Sequence, residues 1–567
     1  MIIDLTKAPL PAQLDADVVI IGAGAAGIVL ALELSTAGLS IVLVEAGSET
    51  FSAASQEYYR AESVAPESHG PVHMFRRRIL GGSTSVWGGR CIPFDPIDFE
   101  DRPWIAHGHW PLKYQDVAPF YERALDYADA GPPIFDAAGA LPGEPGPMVA
   151  GIDSPDIILD RIERFSLPLH FGARYRGKLQ AAPGIRVLIN APVEQILTNV
   201  DGNAAKGVRI VAPGDKRVTV NGARVIVAAG GLETPRLLLA STEARSCGLG
   251  NERDLVGRFY QCHLEGEIGQ VRFAKPADTV RMDYQRSPEG IYCRRYIWLS
   301  PDTQRSKKLA GLVLRPNHAN IVDPGHRHPV LSAMYLVKSR IVPEYARKLT
   351  SLEDQKRLER GESPVAFWAA HMRNMVLGGP KLLAFSLDFA RRRTFARRKL
   401  PSVVLQDPRG LYPLDVNAEQ EPNPDSRVTL GHERDAHGIP RIRVDWRTTE
   451  ADHHRLVEGL KTLHAGFAKS RTAQLEFSDA DYEVAMTRKI PVGGHHIGTA
   501  RMADSDAEGV CDANGELFGT KGVYIAGAAA FSTSSFANPT LTLIALSLRL
   551  ARHIAEASSR ERSAFRG

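Results

Sequence analysis

Short, uninterrupted apolar runs that stop at glycine mark both ends of this chain, while its middle alternates apolar with polar. Val18–Ile21 and Ser40–Val44 are rich in β-branched residues, the pattern of strands covered on both faces in a parallel sheet. Between them, Ala25–Ala37 predicts a helix with Leu30, Leu34 and Ala37 on one side and Gly38 as its stop. Further on, Ile185–Ile196 and Lys206–Ile210 read as strands, followed by a hairpin ending in the buried run Arg224–Gly231. Thr234 and Pro235 open a helix through Leu239. A third buried strand, Gly522–Ala526, precedes a long terminal helix. Helices are also predicted over Tyr114–Ala130 and Glu450–Ser470, and a Pro/Gly-rich linker over Gly131–Gly146.

From about Gly257 to Arg447 the period changes. Gly311–Leu314, Val330–Val337, Ser426–Leu430 and Arg441–Val444 suggest an antiparallel sheet. A helical, basic insertion, roughly Ser339–Lys399, interrupts it. Its apolar patches and arginines suit a membrane surface, a partner or a glycan, but are read first as a lid helix with a solvated basic face. The pattern predicts an α/β chain in which an antiparallel α+β domain is inserted into a Rossmann-like, dinucleotide-binding one. The expected divisions are 1–257 (with a lid or linker region at about 100–185), 258–485 and 486–567.

Composition narrows this little. The 567 residues allow two or three domains, and a net charge of +4 makes no case for nucleic-acid binding. No apolar run reaches bilayer length, and the first twenty residues lack a basic stretch followed by an apolar core and cleavage site. The five cysteines are odd in number and widely spaced, so neither a disulfide framework nor a metal motif is read, and cytoplasm is the expected compartment.

Chemistry enters at three places. Gly22, Gly24 and Gly27 spell G-x-G-x-x-G between a strand and a helix, with Glu45 ending the next strand. The first glycine permits a tight turn, the second a close approach to pyrophosphate, the third close helix packing, and the acid suits a ribose hydroxyl. The stretch Arg76–Gly89 holds four glycines among hydroxyl residues, a loop able to lie along a flat ligand or simply a surface loop. Near the end, His495 and His496 stand between glycines, where an imidazole can accept a proton near neutral pH. Asn538 and Pro539 suit the N-cap and first residue of the terminal helix, whose positive end favours an anionic ligand. No third ligand at proper spacing makes the histidine pair a metal site.

These segments together resemble the glucose–methanol–choline (GMC) flavoprotein oxidoreductases. The resemblance covers Gly22–Glu45, Gly81–Gly89, Val193, Ala228–Gly231 and His495–Leu543, with a weaker likeness at Leu255–His263. It implies bound FAD and oxidation of an alcohol to a carbonyl by hydride transfer to flavin N5. It implies that His495, the histidine of H-x-x-G-T, takes the hydroxyl proton, and that Asn538 hydrogen-bonds the same oxygen. FAD contacts are implied at Gly82 and Ser83, Val193, Ala229, Gly527 and Ala528, and Pro539 and Thr540, though many members carry Asp where Gly527 stands. Members that link flavin covalently use a histidine where this chain has Val86, so FAD is expected to be noncovalent. Trp87 and the Asn538-Pro539-Thr540 segment look nearer the pyranose-oxidase-like, sugar-oxidising members. The expected partners are a small alcohol or saccharide, and oxygen, a quinone or a protein carrier as electron acceptor. A dehydrogenase of a non-carbohydrate alcohol and a flavin-retaining lyase on the same scaffold stay open. A nicotinamide enzyme or a noncatalytic binding protein fits less of the pattern.

Overall fold

The computed structural model describes every residue except 9, 11–12, 67, 168, 275–278, 342–363, 408, 488–493 and 565–567. Six parallel strands form the central sheet, in the order Ile2–Asp4, Ile185–Ile189, Ile41–Val44, Val18–Ile21, Arg224–Val227 and Val523–Ile525. Val18–Ile21 and Ile41–Val44 are buried at every residue, which explains their unbroken apolar character. The helices Ala25–Thr36 and Thr540–Ala564 pack on one another over this sheet. The third motif glycine makes the first close approach possible: a Cβ on Gly27 would sit 1.9 Å from the Gly22 carbonyl oxygen.

A second sheet of six strands is antiparallel throughout: Ala473–Glu476, Leu264–Phe273, Leu411–Ala418, Leu312–Pro316, Ile297–Leu299 and Ile157–Ile158. Helix Glu450–Phe467 buries Leu456, Leu460, Leu463 and Phe467 in the core that includes this sheet. Thr449 and Asp452 cap its start reciprocally, hydroxyl to backbone and carboxylate to backbone. The mixture of a parallel sheet and a fully antiparallel one is the α/β architecture with an antiparallel α+β portion that the sequence pattern predicts.

Three local expectations are corrected. Ile185–Ile196 is two strands, because Asn190 turns left-handed (φ 55°) and Pro192 donates no hydrogen bond; Val193–Thr198 joins a separate four-stranded sheet. Tyr114–Ala130 is broken at Pro119 into Tyr114–Val117 and Tyr121–Ala128, joined by a tight 3₁₀ turn. Val330–Val337 is helical, within Pro329–Ile341. Pro329 at the helix start was the arbiter there, since so short an apolar run suits either period. Of the basic insertion, 342–363 lies outside the described residues; Pro364–Leu377 and Gly379–Phe389 are helices.

Candidate active site

A cavity of about 1140 Å³ lies between the two sheets' loops and receives nearly every residue singled out above. Gly22 turns at φ 96°, and a Cβ there would meet the Ala228 carbonyl at 2.6 Å, so the strand-to-helix turn admits no side chain. Gly24, by contrast, faces open space on the cavity wall. Gly27 lies outside the cavity, in the helix–strand contact. Glu45 is 6% exposed, and its two oxygens accept the backbone N–H groups of Ala23 (2.9 Å) and Gly47 (2.8 Å). Burial raises its pKa, against the pull of those amides and Arg78. The carboxylate thus braces the glycine turn while still lining the cavity.

Gly82 and Ser83 begin a 3₁₀ turn whose start packs on Gly24, and both line the cavity. Val193, Ala229, Gly527 and Ala528 line it too, from the ends of their strands. Gly527 sits at φ 97°, ψ −171°, a conformation other residues rarely adopt, which accounts for glycine at this strand end. Val86 is on the wall as well and carries no nucleophile. Trp87 also lines the cavity, with its indole N–H donated to the Leu169 carbonyl at 2.8 Å.

The terminal helix begins at Thr540, with Pro539 contributing the first carbonyl, to Leu543 N–H at 2.8 Å. Asn538 therefore is not the cap expected of it. Its amide turns away from the helix, and Nδ2 donates to His495 Nε2 at 3.0 Å. On the other side, His495 Nδ1 lies 3.0 Å from His263 Nδ1, and His263 Nε2 lies 3.2 Å from the Ser534 carbonyl. The carbonyl can only accept, so His263 Nε2 carries the proton. Burial lowers the His263 pKa and keeps the ring neutral, which leaves its Nδ1 as an acceptor. His495 must then donate through Nδ1 and present the Nε2 lone pair toward Asn538 and the cavity.

His496 faces elsewhere. Its Nδ1 meets the Tyr260 hydroxyl at 2.7 Å, and the same hydroxyl meets His69 Nε2 at 2.7 Å. Burial, then Arg76 and His69, push the His496 pKa well below its usual value. Cys262 Sγ completes a group of potential metal-binding atoms with His69 and His496, but the Tyr260 hydroxyl already bridges both imidazoles.

Past His495 the cavity ends in charge. Arg90, Arg294, Glu265 and Asp415 line it, with Asn317 and His318 beside them. Glu163 and Arg315, both fully buried, support the wall: Glu163 accepts a hydrogen bond from Arg315 at 2.9 Å and forms an ion pair with Arg90 at 3.0 Å. Burial pushes the Glu163 pKa up, but Arg315, Arg90 and Arg294 outweigh it and hold the group below the carboxylate norm. For Asp415 burial wins over Arg315 and Arg90, and its pKa is raised. Three guanidinium groups thus balance three carboxylates. Glu265, Asp415 and Arg294 went unread in the sequence; an acid at the centre of the apolar strand Leu411–Ala418 was the available signal.

Two buried atoms test the fit of a flavin dinucleotide. His496 Nε2 and Asn538 Oδ1 have no partner among the described residues, and both residues line the cavity that also reaches the glycine turn. A ligand with polar edges along that path satisfies them, so the residues fit the group.

Residues 17–247 match the family described as FAD dependent oxidoreductase, and residues 422–547 that described as GMC oxidoreductase. The 2-methyl-1,2-propanediol dehydrogenase of Mycolicibacterium austroafricanum is 23% identical over 95% of this chain and 95% of its own. The fructose dehydrogenase large subunit of Gluconobacter japonicus is 23% identical over 95% of this chain and 97% of its own. Among solved structures, pyridoxine 4-oxidase from Mesorbium loti shares the fold, at TM-score 0.50 and 16% identity, covering 95% of this chain and 98% of that one. A glycine turn for a dinucleotide at one end and a histidine–asparagine pair at the other accord with these matches: the chain is similar to FAD dependent oxidoreductases over residues 17–247 and to GMC oxidoreductases over residues 422–547.

Proposed function

We propose that this enzyme oxidises a CH–OH group of a neutral sugar, glycoside or polyol to a carbonyl, with His495 as the base. The observation that carries the reading is the pairing of His495 Nε2 with Asn538 Nδ2 at 3.0 Å on the cavity wall. A substrate hydroxyl entering between them gives its proton to Nε2 while the Asn538 amide donates to the oxygen left behind. His263 holds the ring in the tautomer this requires. FAD, held by the Gly22–Gly27 turn, Glu45, Gly82–Ser83 and the Gly527–Ala528 strand end, supplies the hydride acceptor when bound. The substrate loses one hydride from carbon and one proton from oxygen, and His495 passes that proton on to solvent.

The substrate class rests on the charge-balanced end of the cavity. Paired guanidinium and carboxylate groups offer several donors and acceptors without net charge, which suits a ligand with many hydroxyls. The diol and fructose activities in the names of the two relatives point the same way. With Val86 in place of a linking histidine, FAD is held noncovalently, and acid precipitation should release all of it. Five cysteines that form no disulfide among the described residues fit a reducing compartment such as the cytoplasm.

Anaerobic mixing with a panel of sugars, glycosides and polyols tests the reading. Bleaching of the flavin by members of the panel is the expected result, and recolouring on admission of air separates oxygen from a quinone or protein carrier as acceptor. A flavin that no alcohol bleaches overturns it.

A further inference from the structure

The helical insertion is apolar on the wrong side. In Pro364–Leu377 the polar residues His371 and Asn374 face inward. His371 Nδ1 meets Ser332 Oγ at 2.9 Å, and Asn374 Nδ2 donates to the Pro324 carbonyl at 2.9 Å. Val365, Trp368, Met372 and Val376, at helical spacing, face out, with Val365 78% and Val376 72% exposed. The next helix repeats the pattern. Leu382, Phe385 and Phe389 line the cavity, while Leu383 and Leu387 are exposed, Leu387 at 66%. Of fifteen exposed large apolar side chains among the described residues, nine lie between Val337 and Phe395. A lid that merely met water would carry polar residues there.

The charge around this patch identifies what covers it. Residues 364–399 contain eight Lys and Arg and one acid, a net charge of +7 in a chain whose total is +4, so the remainder is net −3. That acid, Asp388, is engaged by Arg391 and Arg392. Arg373, Lys381, Arg391, Arg397 and Lys399 are exposed. Exposed apolar side chains ringed by a strong excess of basic ones match a lipid surface with anionic headgroups. No helix of the described residues is long and apolar enough to cross a membrane, so contact of this kind lies along the surface. We propose that the helices Pro364–Leu377 and Gly379–Phe389 dock the enzyme peripherally on an anionic bilayer, bringing the helical wall of the cavity against the lipid.

Flotation of the full-length holoenzyme with vesicles tests this. Equimolar phosphatidylglycerol and phosphatidylcholine should carry the protein up, added salt should release it, and pure phosphatidylcholine should carry far less. The double variant Val376→Glu/Leu387→Glu should lose about tenfold or more in vesicle binding, with flavin absorbance and turnover of a soluble substrate unchanged. Absence of flotation with anionic vesicles, equal flotation with neutral ones, or undiminished flotation of the variant overturns the proposal. So does a wild-type dimer in sedimentation that the same double variant dissociates, because a second copy would then cover the patch.

Discussion

His263 Nδ1 and His495 Nδ1 lie 3.0 Å apart, two ring nitrogens of the same kind that cannot both donate. The Ser534 carbonyl behind His263 decides which one does, and so sets which nitrogen of His495 faces the cavity. His263→Ala should lower kcat about ten- to a hundredfold, the range for losing an oriented catalytic hydrogen bond. KM and flavin content should change little, and His263→Gln, which keeps an acceptor, should recover part of the rate. Equal loss in both variants, with loss of flavin, would assign His263 a structural role alone.

His495 is expected to matter more. Removal of the proposed base in His495→Ala should cost about 10²–10⁴-fold in turnover while the protein stays yellow. His496→Ala should instead weaken retention of FAD, because the residue lines the same cavity and its buried Nε2 has no partner among the described residues. Flavin content and anaerobic bleaching, measured on both variants, discriminate between the neighbours. Abolished bleaching in a flavin-replete His496→Ala enzyme would reverse the assignment.

The charged end of the cavity should act on binding. Asp415→Asn keeps the shape and removes an ionised acceptor, and a hydrogen bond to such a group is worth about 1.5–3 kcal/mol. KM for whichever alcohol bleaches the flavin best should therefore rise about tenfold or more, with kcat much less affected. Steady-state kinetics with a substrate lacking one hydroxyl should show that penalty disappear.

Acid stability carries a signature of His69. Burial lowers its pKa to about 4, while the unfolded chain titrates near the ordinary 6.5. Between those values the unfolded state binds a proton that the folded state refuses, so stability from this group is full above pH 6.5 and falls as pH drops toward 4. From pH 7.5 to 5, wild type should lose about 2 kcal/mol relative to His69→Gln. Thermal melts of the two proteins at both pH values measure it; parallel shifts would contradict the assignment.

The parallel sheet was readable because Val18–Ile21 and Ile41–Val44 are unbroken apolar runs closed by turns that demand glycine. Gly22 and Gly27 are dictated by contacts of 2.6 and 1.9 Å that any side chain would violate. His495 and Asn538 stood out for their glycine and proline surroundings. What lies between them did not, because tertiary pairing rather than local pattern brings His263 within reach of a residue 232 positions away. Val330–Val337 misled because a helix and a strand write the same few letters over eight residues. Asp415 was hidden by the strand it sits in, and only Arg315 and Arg90 in three dimensions explain an acid there.

The central sheet takes its edge strand from Val523–Ile525, and Asn538 arrives later still. A ribosome that has released only the first five hundred residues has therefore made a nucleotide turn with an unfinished floor and no carboxamide. A nascent chain stalled short of that point should present an open sheet margin to chaperones, with the last strand and the carboxamide still missing from the cavity.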